Sequence, residues 1–214
     1  MTNPVELSIV IPAWNEAESL AETIDLISDA LRANEADGLT WEIIVCDNAS
    51  TGATSEIARR AGARVAFEPE RGIARARNAG ARVARGEWLL FIDADSYPTP
   101  ELLTEVRTLL GEGRLVGCGS MMRPIGGKWW MRLKIKRDNS LMWLLGLSAG
   151  VFLLCRHEAF RALGGFSADL YAFEELDFVI RLRYYGWVRG QEFRLLRRHP
   201  VVTSARIKGG TDVG

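Results

Sequence analysis

The chain has 214 residues, 48% hydrophobic and 25% charged, with 27 Lys+Arg against 27 Asp+Glu. That length and balance describe an ordinary globular chain able to bury a substantial core, and they exclude an overall charge that would draw it to a polyanion. The neutrality conceals a split: residues 1–112 carry 10 Lys+Arg against 19 Asp+Glu, and residues 113–214 carry 17 against 8. Either the second half meets something acidic, such as phosphate or an anionic membrane surface, or the two halves attract each other across the fold.

The three cysteines, Cys46, Cys118 and Cys155, lie far apart in apolar segments and form no metal-ligand spacing, so buried thiols in a reducing compartment are expected. The N-terminal apolar run Val5 to Ile11 reads as a strand and not as a signal peptide. The longest apolar stretch, Leu141 to Cys155, is interrupted by glycine and serine and falls short of the ~20 residues that span a bilayer. A cytoplasmic protein without a transmembrane helix is expected.

Short apolar runs alternate with segments of helical period, as in a sheet covered by helices. Leu7 to Ile11 is the first predicted strand. Asn15 is a candidate cap with Glu18 completing a capping box, and Leu20, Ile24, Ile27 and Leu31 give the helix its buried stripe. Trp41 to Cys46 is the second strand, ending at Asp47, and Ser50 or Thr51 opens a short helix to about Ala61. A third strand, Ala63 to Phe67, precedes a helix from Gly72 to Arg85 whose small residues permit close packing on a sheet. Trp88 to Ile92 is the fourth strand.

Thr99 then caps a helix with Pro100 at its first position and Leu102, Leu103, Val106, Leu109 and Leu110 as its stripe. Beyond it the expected elements are strands at Leu115 to Met121 and Gly150 to Cys155, with a helix or irregular excursion from Trp129 to Leu145 between them. A helix from Glu174 to Tyr185 follows, and short strands at Phe193 to Leu196 and Val201 to Thr203 close the series.

The feature with most chemical content is Phe91-Ile92-Asp93-Ala94-Asp95, two carboxylates at the polar end of a buried strand. Hard oxygen ligands at such an edge can hold a divalent cation bound to a diphosphate. Asp-x-Asp alone is weak, because Asp also ends strands and caps helices. Here Asn15 and Glu16 follow the first strand and Asp47 and Asn48 the second, so three polar strand ends share one rim.

With those residues in place the chain resembles the family 2 glycosyltransferases of the GT-A fold along nearly its whole length. The resemblance is carried by Ile9 to Glu16, Val45 to Thr51, Gly72 to Gly80, Phe91 to Asp95, Ala149 to Phe152, Phe160 to Phe166 and Glu174 to Leu182. It implies an α/β fold with a mixed, mainly parallel sheet flanked by helices. It also implies a single domain over 1–214, with a nucleotide-binding half at 1–97 and an acceptor-binding half at 98–214. The implied reaction is an inverting transfer of a hexose-type sugar from a nucleotide-diphosphate donor to a hydroxyl acceptor of unknown identity, lipid-linked or a cell-envelope glycan. A divalent cation, Mg²⁺ or Mn²⁺, accompanies it.

Carried over by position, Pro12, Ala13, Trp14 and Glu16 line the base and ribose pocket, and Asp47 hydrogen-bonds the base. Arg77 and Asn78 reach the donor. Asp95 is the expected direct metal ligand, with Asp93 acting through water or on the ribose. Glu174 and Glu175 match the acidic pair that supplies the base, although the commoner pattern has Asp where this chain has Glu175. Asp177 is four residues before Arg181, the spacing of a helical ion pair. His199 is a candidate metal ligand, and Arg206 and Lys208 are candidate diphosphate contacts. The basic and aromatic segment 128–137 either lies on an anionic membrane at the inner face or is an acceptor-side helix with Trp129 and Trp130 in the core. No nucleic-acid partner is expected. The rival readings are a catalytically silent nucleotide-sugar-binding protein of the same fold and, less well matched, a nucleotidyltransferase, whose Gly-rich basic phosphate loop is missing after the first strand.

Overall fold

A computed structural model describes residues 4–34, 38–126, 129–130, 133, 135–137, 139–140, 151–170 and 173–204. Eight strands form one sheet: β1 (Leu7–Ala13), β2 (Trp41–Asp47), β3 (Arg64–Phe67), β4 (Trp88–Ile92), β5 (Ser96–Tyr97), β6 (Leu115–Ile125), β7 (Phe152–Arg156) and β8 (Glu192–Ser204). Their spatial order is β3-β2-β1-β4-β7-β6-β8-β5. β3, β2, β1 and β4 are parallel neighbours, β7 runs antiparallel between β4 and β6, and β8 is parallel to β6. This is the mixed, mainly parallel sheet that was expected.

The central strands are continuous apolar runs because both faces are covered. On one face Leu7, Ile9, Ile11, Val45, Leu90 and Ile92 meet α1 (Leu20–Arg32), α2 (Thr54–Arg60) and α4 (Pro100–Leu110). On the other, Val10, Leu89, Phe91 and Leu153 meet α3 (Ile73–Val83), α5 (His157–Ala162) and α6 (Glu174–Val188). Thr99 caps α4 as expected, accepting from the Leu102 backbone N–H at 3.3 Å, with Pro100 at the first position. All three cysteines are free and buried, and burial pushes the Cys46 thiol up to about 12.

Several boundaries differ from the sequence reading. Asn15 is not a helix cap: it sits at φ 53°, its Oδ1 accepts from Thr51 N at 3.0 Å, and α1 begins only at Leu20. The side chain of Asn15 thus ties the loop after β1 to the loop after β2. The two short late strands are the paired ends of a single β8, whose register against β6 jumps from Ser120↔Leu196 to Met122↔Val201. Residues 197–200, including Pro200, occupy that bulge, where a missing ladder N–H is tolerated. β5 was not foreseen; its two residues clip the chain after Asp95 to β8, with Ser96 Oγ bonding Thr203 Oγ1 at 2.9 Å.

Helix α3 lies close on the sheet because Ala74, Ala76, Ala79, Gly80 and Ala81 are its buried residues along with Arg77. A Cβ at Gly80 would stand 2.4 Å from Val10 Cγ1, inside any contact distance. Gly80→Ala adds about 1 kcal/mol of helix propensity but overpacks a filled site at a cost of about 1–3 kcal/mol. Overpacking wins, and a lower urea midpoint than the parent's is expected.

Candidate active site

Because β1, β2 and β4 are parallel, their carboxyl ends share one rim, and Ala13, Asp47 and Ile92 are the last strand residues there. The chain leaves β4 through a tight turn in which Ser96 N bonds Asp93 O at 3.0 Å. Thr23 Oγ1 holds the buried Ala94 carbonyl at 2.8 Å. Asp93 is thereby aimed at α3, where its Oδ1 accepts from Arg77 Nη2 at 3.1 Å.

Arg77 also donates through Nη1 to Glu175 Oε1 at 2.6 Å and to Glu174 Oε1 at 3.3 Å. Its side chain is only 1% exposed. The chain enters α6 through Phe173 at φ 67°, a left-handed conformation that bulky residues seldom adopt, and this turn starts the helix with both glutamates at the rim. Beneath the cluster Phe91, Phe160, Phe166 and Phe178 form an aromatic floor with ring centroids 4.7–5.6 Å apart, and the Arg77 guanidinium carbon stands 5.5 Å above Phe166.

Arg77 was expected to reach a diphosphate. The structure instead encloses it among three carboxylates, because a cation this deeply buried needs anions at contact distance. Burial would pull its pKa down, but Asp93, Glu175 and Glu174 outweigh that and raise it. Glu174 moves the opposite way from an exposed carboxyl: burial, then the charge on Glu175, holds its pKa above the usual range. The two glutamates are distinct in access, with side chains 5% and 23% exposed for Glu174 and Glu175.

Asn78, the next residue on α3, was expected to touch the donor as well. Its amide is engaged with the backbone of Phe166, donating from Nδ2 to the carbonyl at 2.8 Å and accepting the N–H on Oδ1 at 3.0 Å. Arg181 holds the same turn from α6, donating to the carbonyls of Leu163 and Gly165 at 2.8 and 2.9 Å while pairing with Asp177 at 2.7 Å. The helical ion pair is therefore present. Sequence reading missed the turn-holding work of Asn78 and Arg181, since nothing local marks a partner 88 residues away.

Beside this cluster a cavity of about 440 Å³ is lined by Pro12, Ala13, Trp14 and Glu16 from the end of β1, and by Asn48, Arg71 to Ala76, Ala168 and Leu170. The four residues expected in the base pocket, at the end of β1 and just past it, thus fall together. Asn48, not singled out for a role, shapes the opposite wall: Nδ2 donates to the Glu68 and Glu70 carbonyls at 3.2 and 2.7 Å, and Oδ1 accepts from Gly72 N at 2.8 Å. A larger open hollow, about 750 Å³, lies at the opposite rim among Glu6, Arg85, Gly86 and Arg156. It is remote from the acidic cluster.

Other expected residues fall elsewhere. Asp47 is turned into its own loop, accepting from Ser50 N at 2.9 Å and from the Ser55 hydroxyl. Burial favours its neutral form, yet those hydrogen bonds hold its carboxyl below the usual range. Asp95 lines a separate small depression with Ser19, Thr23 and Tyr97 and accepts from Ser96 Oγ at 3.2 Å. His199 is not brought to Asp95: it rides on the β8 bulge into a groove with Glu101, Thr104 and Glu105 on α4. Arg206 and Lys208 lie outside the described residues.

Among the described residues no group of three or more His, Cys, Asp or Glu side chains is placed to hold a metal ion. Two aspartates two residues apart on a rim turn still match the needs of Mg²⁺ or Mn²⁺, which accept one or two carboxylates and fill their remaining positions with water and substrate phosphates.

An open α/β sheet with a cavity and an acidic cluster at its carboxyl rim defines a nucleotide-sugar transferase fold of the GT-A type. The chain belongs to glycosyl transferase family 2, whose model matches residues 8–168. It is 29% identical over 146 residues to a dolichol-phosphate mannosyltransferase of Pyrococcus furiosus, a match covering 64% of this chain and 40% of that protein. Among solved structures it resembles a mannosyltransferase of Pyrobaculum calidifontis in complex with GDP-Man and Mn²⁺, with a TM-score of 0.72 and 23% identity over 98% of this chain and 59% of that one. Glucosyl-3-phosphoglycerate synthase of Mycobacterium tuberculosis gives a TM-score of 0.68 and 26% identity, covering 96% and 73%. The chain spans well under half of the Pyrococcus relative's length.

The raised pKa of Glu174 has a signed consequence. Its contribution to stability is fully present below the ordinary carboxylate range and is lost as pH rises through the raised value. Between about pH 5 and pH 8, the urea midpoint of Glu174→Gln should therefore gain on the parent's as pH increases. A constant difference across that range would show that Glu174 titrates as an exposed carboxyl does.

Proposed function

We propose that this protein transfers a sugar from a nucleotide-diphosphate donor to a hydroxyl acceptor, with inversion at the anomeric carbon. The observation that carries this reading is the convergence of Asp93, Glu174 and Glu175 on Arg77, one helix turn along α3 from the wall of the rim cavity. Family membership supports it, as do the GDP-Man and Mn²⁺ in the Pyrobaculum structure and the UDP and Mn²⁺ in a structure of the Mycobacterium synthase.

In this mechanism the donor's nucleoside occupies the cavity lined by Pro12, Ala13, Trp14 and Glu16, with its sugar toward the acidic cluster. Glu175 takes the proton from the acceptor hydroxyl as that oxygen attacks the anomeric carbon, and the bond from that carbon to the diphosphate breaks. Glu175 suits the role better than Glu174 because it is the more accessible of the two, while Arg77 fixes one of its oxygens. Glu174 and Asp93 act by positioning Arg77. A divalent cation, held by Asp95 with Asp93, would supply charge stabilisation to the departing diphosphate.

The acceptor is proposed to be lipid-linked and met at an anionic membrane surface, with the protein working in the cytoplasm. Trp129 is 73% exposed and Trp130, Leu133 and Ile125 also face outward, so the two tryptophans are not core residues; Ile135 alone of this group enters the core. Cations at Lys128, Arg132, Lys134, Lys136 and Arg137 surround these apolar side chains in sequence. Such a mixture suits the boundary between headgroups and acyl chains. No helix among the described residues is long and apolar enough to cross a membrane.

A panel of nucleotide sugars with Mn²⁺ and an acceptor pool tests the reading by its product: free nucleoside diphosphate is expected, whereas pyrophosphate would identify a nucleotidyltransferase and no product a silent binding protein. Within an active pair of substrates, Glu175→Gln should lower transfer by ~10²-fold or more while donor binding persists. Glu174→Gln should cost less, and a larger loss there would move the base by one residue. Asp95→Ala should remove the metal dependence of donor binding.

Vesicles rich in phosphatidylglycerol should retain the protein, and phosphatidylcholine vesicles should not. Replacing Lys134, Lys136 and Arg137 by Ala should weaken that retention, and absence of any vesicle binding by the parent would refute the membrane contact.

A further inference from the structure

We propose that the outer face of α6 is a self-association surface, on which a second copy of this chain packs its own α6 antiparallel about a two-fold axis. The inference does not rest on the transferase reading, and it concerns a face that the candidate active site leaves unused.

α6 is half a core helix. Phe178, Val179, Leu182 and Gly186 are buried, and a Cβ at Gly186 would stand 2.6 Å from Val116 Cγ1, so the helix is wedged against β6. A helix placed in this way ordinarily turns polar residues outward. This one turns out Ile180, Tyr184 and Trp187, which follow one another at spacings of four and three, the period of a single helix face, with Val188 beside them. Trp187 is 75% exposed, Tyr184 66%, Val188 58% and Ile180 53%, and Phe173, in the turn that opens the helix, is 72% exposed. The Tyr184 and Trp187 rings lie 6.1 Å apart, so the apolar surface is continuous there.

Together these five side chains leave roughly 600 Å² open, a total at the upper limit of the largest apolar patch on a typical monomer. A stable interface takes about 800 Å² from each partner. The exposed apolar side chains supply most of that area, and the half-buried Leu176 and exposed Arg183 add to it from the flanks.

Charge decides the occupant. α6 begins with Glu174, Glu175 and Asp177, and from Phe178 to its C-cap the only charged residues are Arg181, Arg183 and Arg189. Arg189 is fixed over the Tyr185 ring at 3.7 Å. A parallel pair of such helices sets carboxylates against carboxylates and cations against cations. An antiparallel pair sets the acidic start of each helix toward the basic end of the other and opposes their dipoles, so the face complements itself. An anionic membrane fits less well, because carboxylates flank one end of the stripe. The basic segment 128–137, moreover, sends Ile135 into the core on the face of the sheet opposite α6, so one lipid surface does not serve both. A two-fold axis near Ile180, halfway between Phe173 and Trp187 in the chain, lays each aromatic end over the opposite end of the other copy and Ile180 beside its own counterpart.

The test is light scattering on the parent, on Trp187→Ala and on the double variant Ile180→Glu, Trp187→Glu, across micromolar concentrations. The parent should weigh twice the 23.8 kDa of one chain. Trp187→Ala should raise the dissociation constant at least about 30-fold, the scale of a hot-spot residue, and the double variant should be monomeric. Both side chains are exposed, so unchanged far-ultraviolet circular dichroism is expected and keeps folding separate from association. The native cysteines are all buried, so Ile180→Cys supplies a lone surface thiol, and a short bismaleimide should join two chains of that variant but none of the parent. A parent that is monomeric throughout overturns the proposal, as does a double variant that stays dimeric or an Ile180→Cys dimer that cannot be joined. A monomer retained on phosphatidylglycerol vesicles through Ile180 and Trp187 identifies the face as a lipid contact and overturns it as well.

Discussion

The structure is organised around one buried guanidinium. Arg77 is held in the fold only because Asp93, Glu174 and Glu175 converge on it from two distant stretches of chain. Removing any partner leaves charge in a medium where isolated ions are costly, so the turn after β4, the middle of α3 and the start of α6 are fixed relative to one another. The charge split along the sequence does not account for this. The cation comes from the acidic half and two of the three carboxylates from the basic half. Surface pairs such as Arg156–Glu87 and Arg194–Glu112 do follow the split, but exposed pairs contribute little.

One cation among three carboxylates leaves an excess of negative charge, and the fold resolves it by environment. Glu174 is buried and pushed toward its protonated form; Glu175 is at the surface of the same cluster with one oxygen held by Arg77. Two adjacent glutamates on one helix turn are thereby given different environments, one enclosed and one open to solvent. The aromatic floor adds to this by keeping water away from the inner side of the cluster.

Much of this was legible in the sequence. β4 falls at Trp88 to Ile92 as read, because an apolar run bounded by polar residues can only be a buried strand here. The rim position of Asp93 followed from that strand, and the Asp177–Arg181 pair from spacing alone. What could not be read were contacts over long sequence separations. Arg77 was set apart from the other arginines of α3 by resemblance, but its partners Glu174 and Glu175, nearly a hundred residues on, were not legible. Asn78 carries no local sign that it holds the backbone of Phe166, and Asn15 satisfies the composition of a helix cap while serving as a loop tie. His199 was displaced from its expected place by a bulge, and bulges leave little trace in hydrophobic pattern.

The small residues of α3 connect these observations. Its first turn forms a wall of the cavity, Arg77 gathers the acidic cluster, Asn78 fixes the turn before α6, and Gly80 sits against Val10 with no room for a methyl group. A helix with larger side chains would stand farther from β1 and β2, carrying Arg77 away from Asp93 and Asn78 away from Phe166. The close approach therefore serves the site as much as the core. With cavity, acids and turn all attached to one helix wedged on the sheet, a donor would meet groups already oriented, and little reorganisation is left for the moment of reaction.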